Sequence, residues 1–194
     1  LTLTINPFPI ANAGPAGSMC SGASYSITNA SAQNHSSVLW THNGAGTLNP
    51  IGSLSPTYTP GANETGIVTF TLTAYGIAPC NPAQSQTTLT IVPAVTVYAG
   101  LDESTCKGNQ FTISSAISSN SVSYIWSSTG SGTLANNTSL TPTYIPATGE
   151  TGLVKLTIVA TGNSPCPVMT DVMQLFFQDS PTAFAGNNAN ICQN

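Results

Sequence analysis

The chain repeats itself with a period of 86 residues, and that period limits what it can fold into more than any other feature. Cys20, Cys106 and Cys192 recur at this spacing, as do Trp40 and Trp126, Tyr58 and Tyr144, and Cys80 and Cys166. Without a gap, Gly44-Ala45-Gly46-Thr47-Leu48 falls on Gly130-Ser131-Gly132-Thr133-Leu134, and Pro56-Thr57-Tyr58-Thr59-Pro60 on Pro142-Thr143-Tyr144-Ile145-Pro146. Glu64-Thr65-Gly66 falls on Glu150-Thr151-Gly152. From Gly14 to Cys80 against Gly100 to Cys166, 28 of 67 positions are identical, the mark of tandem duplication.

The ends follow the same pattern. Leu3-Thr4-Ile5 with Pro7 matches Leu89-Thr90-Ile91 with Pro93, so residues 1–7 read as the last strand of a preceding repeat. Ala185-Gly186 and Cys192 match Ala99-Gly100 and Cys106, so residues 180–194 read as the start of a following one. Repeat one is then 8–93 and repeat two 94–179, and the expectation is a window cut from a longer array. The junctions around Pro7-Phe8-Pro9 and Val92-Pro93-Ala94 are short and contain proline, which restricts backbone freedom between neighbours.

Within a repeat the strand signal dominates. Residues 66–76 place Val68, Phe70, Leu72 and Ala74 on one face and mostly Thr on the other, and Val154, Leu156, Ile158 and Ala160 keep that register. Such period-two alternation predicts a half-buried antiparallel strand. Residues 87–91, 9–13, 24–28, 37–42 and 57–59 are further strand candidates, separated by Gly, Pro, Asn and Ser clusters that favour turns. About seven short strands per repeat and no helical period predict an all-β protein of tandem immunoglobulin-like (Ig-like) sandwiches.

A domain this small has a marginal core. Each repeat holds two cysteines, one on either side of its single Trp, so Cys20 with Cys80 and Cys106 with Cys166 are expected as one structural disulfide per domain. Closing such a loop contributes about 4 kcal/mol in the chain-entropy model. Cystines also imply an oxidising, extracytoplasmic setting. Cys192 has no partner in this window, and the repeat puts its expected partner 60 residues further on. The bridge is expected near one pole of the sandwich, because Cys80 lies beyond Gly76 in a proline-flanked loop.

Charge is nearly absent: two Lys, no Arg and six carboxylates give 4% charged residues and a net charge of -4. Two lysines cannot neutralise a run of phosphates, which excludes nucleic acid, nor can they form a basic membrane-surface helix. No run of about 18 apolar residues occurs, so no span is predicted, and neither end shows the basic start and apolar middle of a signal peptide. Ser, Thr and Asn together make up over a third of the chain, which gives it neutral, water-facing strand surfaces.

The ordered pattern of Ala13-Gly14, Cys20-Ser21-Gly22, Leu39-Trp40, Gly44-Ala45-Gly46-Thr47-Leu48, Pro56-Thr57-Tyr58-Thr59-Pro60, Thr65-Gly66 and Pro79-Cys80 resembles the tandem Ig-like (PKD-like) repeats of giant Bacteroidota surface proteins. The nearest likeness is to gliding-motility adhesins exported by type IX secretion. That resemblance covers the whole chain. It implies an extracellular, cell-surface filament or stalk with neighbouring repeats as partners, and surface polysaccharide or an abiotic surface as what it adheres to.

No set of residues converges on catalysis. His35 and His42 have Ser121 and Ser128 as counterparts and no nearby acid in sequence, so no enzyme and no cofactor is expected. Asp102 and Glu103, the only adjacent acidic pair, are candidate calcium ligands at a junction, but Ala16-Gly17 and Asn188-Ala189 hold the matching positions. Glu64 and Glu150 recur beside Thr-Gly and are expected to finish a turn. Trp40 and Trp126 lie in matching apolar strands and are expected in the core, whereas Tyr75, with Thr161 as counterpart, faces outward. The sequons at Asn29, Asn34, Asn63, Asn136 and Asn137 follow from a composition rich in Asn, Ser and Thr. Two other functions fit this composition: a polysaccharide-binding array, which predicts repeated exposed aromatics, and a self-assembling fibre subunit.

Overall fold

A computed structural model describes residues 1–179, 181–188 and 192. Ser180, residues 189–191 and residues 193–194, part of the segment assigned above to a following repeat, lie outside the described residues. Among the described residues all the regular structure is strand. The first repeat contains β1 (Ile10–Asn12), β2 (Gly17–Cys20), β3 (Tyr25–Ser26), β4 (Ser31–Gln33), β5 (His35–His42), β6 (Thr47–Asn49), β7 (Thr57–Thr59), β8 (Gly66–Gly76) and β9 (Ala83–Val92). The second contains β10 (Thr96–Tyr98), β11 (Glu103–Cys106), β12 (Phe111–Thr112), β13 (Ile117–Ser119), β14 (Ser121–Ser128), β15 (Thr133–Ala135), β16 (Thr143–Ile145), β17 (Gly152–Gly162) and β18 (Met169–Gln178). Each strand of the second set lies 86 residues after its counterpart, so the sequence period is also the structural period.

By compactness the chain divides into two units. The first holds Leu1–Thr96 together with Ser119–Ser123 and Ala160–Met169, and the second holds Val97–Ser118, Tyr124–Val159 and the residues from Thr170 on. The turn between β17 and β18 is thus part of the first unit, although it belongs to the second repeat.

In the first unit a four-stranded sheet, β2-β9-β8-β5, faces a three-stranded one, β3-β7-β6, with β1 paired to β4. β8 and β9 are antiparallel from Gly66↔Ile91 to Ala74↔Ala83. β2 runs parallel to β9, from Gly17↔Leu89 to Cys20↔Val92. The alternation in β8 sends Val68, Phe70 and Leu72 into a core shared with Trp40, Tyr58, Leu48, Ile27, Leu89, Ile91 and Met19. Trp40 is 1% exposed, and its indole N–H donates to the Ser53 carbonyl at 2.9 Å. On the opposite face of the sheet, Gln86 and Gln84 amides donate to the hydroxyls of the half-buried Thr71 and the buried Thr73, each at 3.1 Å.

The core of the second unit repeats this set one period on: Trp126, Tyr144, Val154, Leu156, Ile158, Leu175, Phe177 and Ile113. Trp126 is 2% exposed and donates to the Ser139 carbonyl at 3.0 Å. The sheets β11-β18-β17-β14 and β12-β16-β15 keep the same order.

Three strands per repeat go beyond the sequence expectation. β2, β4 and β6 are three or four residues long. A stretch such as Gly17-Ser18-Met19-Cys20 turns only Met19 fully inward, too few residues to register a period. Its strand conformation is imposed by hydrogen bonding to β9.

The cysteine pairing also differs from expectation. The disulfide joins Cys20 to Cys166, while Cys80 and Cys106 are free thiols. The reason lies in β9. Cys80 precedes its start at Ala83 and Cys20 is registered on its end at Val92, so a strand about 30 Å long separates them. A disulfide requires Cα atoms within about 7 Å. Cys106, registered on Gln178, and Cys166, just before β18, are separated by β18 in the same way.

Candidate functional site

Two constructions carry the distinctive residues: one cystine with its surrounding hydrogen bonds, and an acidic clasp beneath a Gly-x-Gly turn that both repeats build. Both are built mainly from backbone groups, so only small residues and a few fixed side chains are needed to hold them.

The cystine lies wholly within the first unit. Cys20 is held at the end of β2 by the parallel pairing with β9, and the next residue, Ser21, donates its N–H to the Val92 carbonyl at 2.8 Å. Ser21 then accepts the Ala94 N–H on its hydroxyl at 2.9 Å. Cys166 comes from the turn after β17, where its N–H donates to the Asn163 carbonyl at 3.0 Å. Its Sγ lies 3.6 Å from the Val92 carbonyl and 3.4 Å from that of Pro93. Asn120, at a positive φ of 58°, donates its amide to the Ala94 carbonyl at 2.8 Å. The short proline-containing segment after β9 is thereby gripped from three sides: by Ser21, by Cys166 and by Asn120.

The clasp is centred on Glu64. Its carboxylate accepts the N–H of Ala45 at 2.8 Å, the N–H of Gly61 at 2.7 Å and the Tyr58 hydroxyl at 2.9 Å to each oxygen. Tyr58 in turn accepts the Gly46 N–H at 2.9 Å. Repeat two rebuilds it with Glu150, Ser131, Ala147, Tyr144 and Gly132. A Cβ at Gly46 would strike the Thr59 carbonyl oxygen, and one at Gly132 that of Ile145, so the second glycine of the motif is needed for close approach.

Burial pushes the Glu64 carboxyl upward, but the N–H groups of Gly61 and Ala45, the Tyr58 hydroxyl and the charge of His42 outweigh it. It therefore ends below the ordinary carboxylate value, and Glu150 does likewise. Burial is the main cause that raises the Tyr58 and Tyr144 phenols, with the neighbouring carboxylate adding to it and the glycine N–H opposing it. These carboxylates have their oxygens occupied by hydrogen-bond donors, an arrangement that fixes a turn and leaves little to offer a ligand.

The other candidates are scattered. Asp102 accepts the Gln174 backbone N–H at 2.7 Å and its side-chain amide at 3.2 Å, while Glu103 is exposed at the start of β11. Among the described residues no three of His, Cys, Asp and Glu come together. His42 packs edge-on to Tyr58, with ring centroids 5.1 Å apart, near Phe70 and the clasp. His35 stands at the other end of β5. Tyr75 is 40% exposed. Of the sequons, Asn34 uses its amide to bind the Phe8 carbonyl at 3.1 Å.

Sequence reasoning missed the partner of Cys20, although the Pro-flanked loop around Cys166 and the short linker were both in view. It placed Glu64 at a turn but not its bonds to Tyr58 and the Gly-x-Gly segment, for which the shared 86-residue spacing of all three was the available signal.

No protein-family model matches the chain, and no curated protein matches it. Solved structures do. Drosophila N-cadherin EC1-4 is similar with a TM-score of 0.51 and 10% identity, over 89% of this chain and 50% of that one. The extracellular domains 3-5 of Drosophila OTK give 0.50 and 13%, over 89% and 60%. The I-band fragment I67-I69 of titin gives 0.50 and 10%, over 88% and 66%. The chain thus spans about half to two thirds of these solved chains. The likeness is one of fold: an all-β chain of tandem Ig-like sandwiches.

Proposed function

We propose that this chain is a structural segment of an extracellular bacterial surface adhesin, in which consecutive Ig-like repeats act as a stiff spacer. The observation that carries this reading is the Cys20–Cys166 cystine, which brings residues of two successive repeats into one compact unit. A spacer that only had to fill length would need no covalent tie of that kind. A stable cystine also belongs to an oxidising compartment, which supports placement outside the cytoplasm.

The division proposed is the one the repeat suggests, with repeat one at 8–93, repeat two at 94–179, and residues 1–7 and 180–194 belonging to flanking repeats. In keeping with the resemblance to Bacteroidota gliding adhesins, such an array exported by type IX secretion would project an adhesive element or itself contact a substratum. The hydroxyl-rich, nearly uncharged faces favour contacts with neutral polysaccharide or abiotic surfaces that change little with salt. No catalytic step is part of this function.

Small-angle X-ray scattering of the oxidised chain tests the reading. A spacer predicts one narrow distribution of interdomain distances, which broadens when the cystine is reduced. A distribution already broad in the oxidised chain, as for freely hinged domains, would overturn it.

A further inference from the structure

The cystine does not respect the repeat it starts in. Its halves are 146 residues apart, one full period more than the 60 that separate Cys20 from Cys80. It joins the first cysteine of one repeat to the second cysteine of the next. Applied along the period, the same rule leaves Cys80 and Cys106 without partners in this chain, and both are free thiols.

Each of the two is nevertheless set in the geometry of its bonded counterpart. Cys80 repeats the setting of Cys166: its N–H donates to Ile77 at 3.0 Å, as that of Cys166 does to Asn163, and its Sγ lies 3.5 Å from the Asn6 carbonyl, one period before Val92. Asn34, one period before Asn120, holds the Phe8 carbonyl as Asn120 holds that of Ala94. Cys106 repeats the setting of Cys20: β11 runs parallel to β18 with Cys106 on Gln178, and the Lys107 N–H meets the Gln178 carbonyl at 2.8 Å. Residues 1–7 supply the acceptor for Cys80, although they lie before the repeat itself.

We propose that Cys80 and Cys106 are half-sites for covalent linkage to flanking copies of the repeat. Cys80 takes the first cysteine of the repeat before it, Cys106 takes the second cysteine of the repeat after it, and Cys192 is the next half-site in the series. The ligand of each is a cysteine thiol of a like repeat. Every junction is then crossed by one cystine, and successive cystine loops overlap along the array. Formation requires a disulfide oxidant such as oxidised glutathione. The Cys106 thiolate attacks its S–S bond and releases one glutathione thiolate, and the partner cysteine's thiolate then attacks the mixed disulfide and releases the second. Two protein thiols are oxidised, and one glutathione disulfide is reduced to two thiols.

This rests on the reading that like repeats flank this pair, and its test is separate from the scattering test of stiffness. A four-repeat chain is made by joining residues 1–179 directly to residues 8–194, so that Cys106 of the first copy and Cys80 of the second are again 146 residues apart. It is folded with oxidised and reduced glutathione, alkylated, digested without reduction and mapped by mass spectrometry. The expected result is a Cys20–Cys166 pair in each copy and a Cys106–Cys80 pair between copies. Alkylation is expected at Cys80 of the first copy and at Cys106 and Cys192 of the second. Cys80→Ser in the second copy then leaves Cys106 of the first alkylatable, with the other pairs unchanged. Pairs within a repeat, or Cys106 of the first copy and Cys80 of the second both alkylated in the parent chain, would overturn the proposal even if scattering still reports a stiff chain.

Discussion

Glu64 and Glu150 each gather two backbone N–H groups and a phenol, and losing the phenol takes a donor from the carboxylate and leaves a glycine N–H unpaired. Tyr144→Phe takes the hydroxyl from Glu150 and the acceptor from Gly132, and is expected to lower unfolding free energy by about 1–3 kcal/mol in urea titrations. The clasp carboxyls also predict a pH dependence. A carboxyl whose folded pKa lies below its unfolded value adds stability that is complete above the unfolded pKa and fades as pH falls through the folded one. Lowered values at Glu64 and Glu150, against an ordinary 4.5, therefore predict a urea midpoint that falls as pH is taken from about 5 to about 3. The double variant Glu64→Gln, Glu150→Gln should flatten that fall, and an unchanged slope would remove the clasp as its cause. Trp40 and Trp126 were legible as core residues because each ends a matching apolar run, Val38-Leu39-Trp40 and Tyr124-Ile125-Trp126, whereas the clasp depends on contacts between segments up to 19 residues apart that no local pattern records.

Among the elements, β8 and β17 were readable from alternation alone, since each turns an apolar face inward, and the later halves of β9 and β18 were readable through Leu89 and Ile91 and their counterparts Leu175 and Phe177. β2, β4 and β6 were not, because three or four residues are too few to show a period. The end of β1 shows how such a tie is kept while its chemistry changes: the Ala13 N–H donates to the Ser85 hydroxyl at 3.0 Å, and one period on the Ala99 N–H donates to the Asp171 carboxylate at 2.7 Å. Asp171→Ser should therefore keep the bond and shift stability by under about 1 kcal/mol, while Asp171→Ala loses an acceptor and costs about 1–3 kcal/mol. Thermal melts of the two variants distinguish them, and equal losses would show that the hydrogen bond is not what the position supplies. At the β6–β7 hairpin, Gly46→Ala drives a methyl into the Thr59 carbonyl and is expected to cost about 1–3 kcal/mol.

For the whole molecule, stability rests on two sandwich cores and one cystine. A single ion pair, Lys107 to Asp179 at 3.8 Å, is present among the described residues, and both side chains are well exposed. Raising NaCl from 10 mM to 1 M should accordingly move unfolding free energy by under about 1 kcal/mol. Cys20→Ser should act far more strongly, with a ceiling of about 5 kcal/mol in the chain-entropy model for a loop this long, and a phosphine reductant should reproduce its melting curve. An unchanged midpoint would mean that the cystine adds no stability. The fold class was legible because the period, the alternation and the turn residues all agree. The cystine partner was not, because one period can be satisfied by pairing within repeats or between them, and only the length of β9 decides. The cystine also sets where the chain yields when pulled. Tension applied at the two ends crosses from Cys20 to Cys166 through the sulfur atoms, so the residues between them carry none of it. About 500 Å of contour length is thereby withheld, and the stretch from Cys20 to Cys166, which would otherwise pay out under load, behaves as an inextensible link until the bond is reduced.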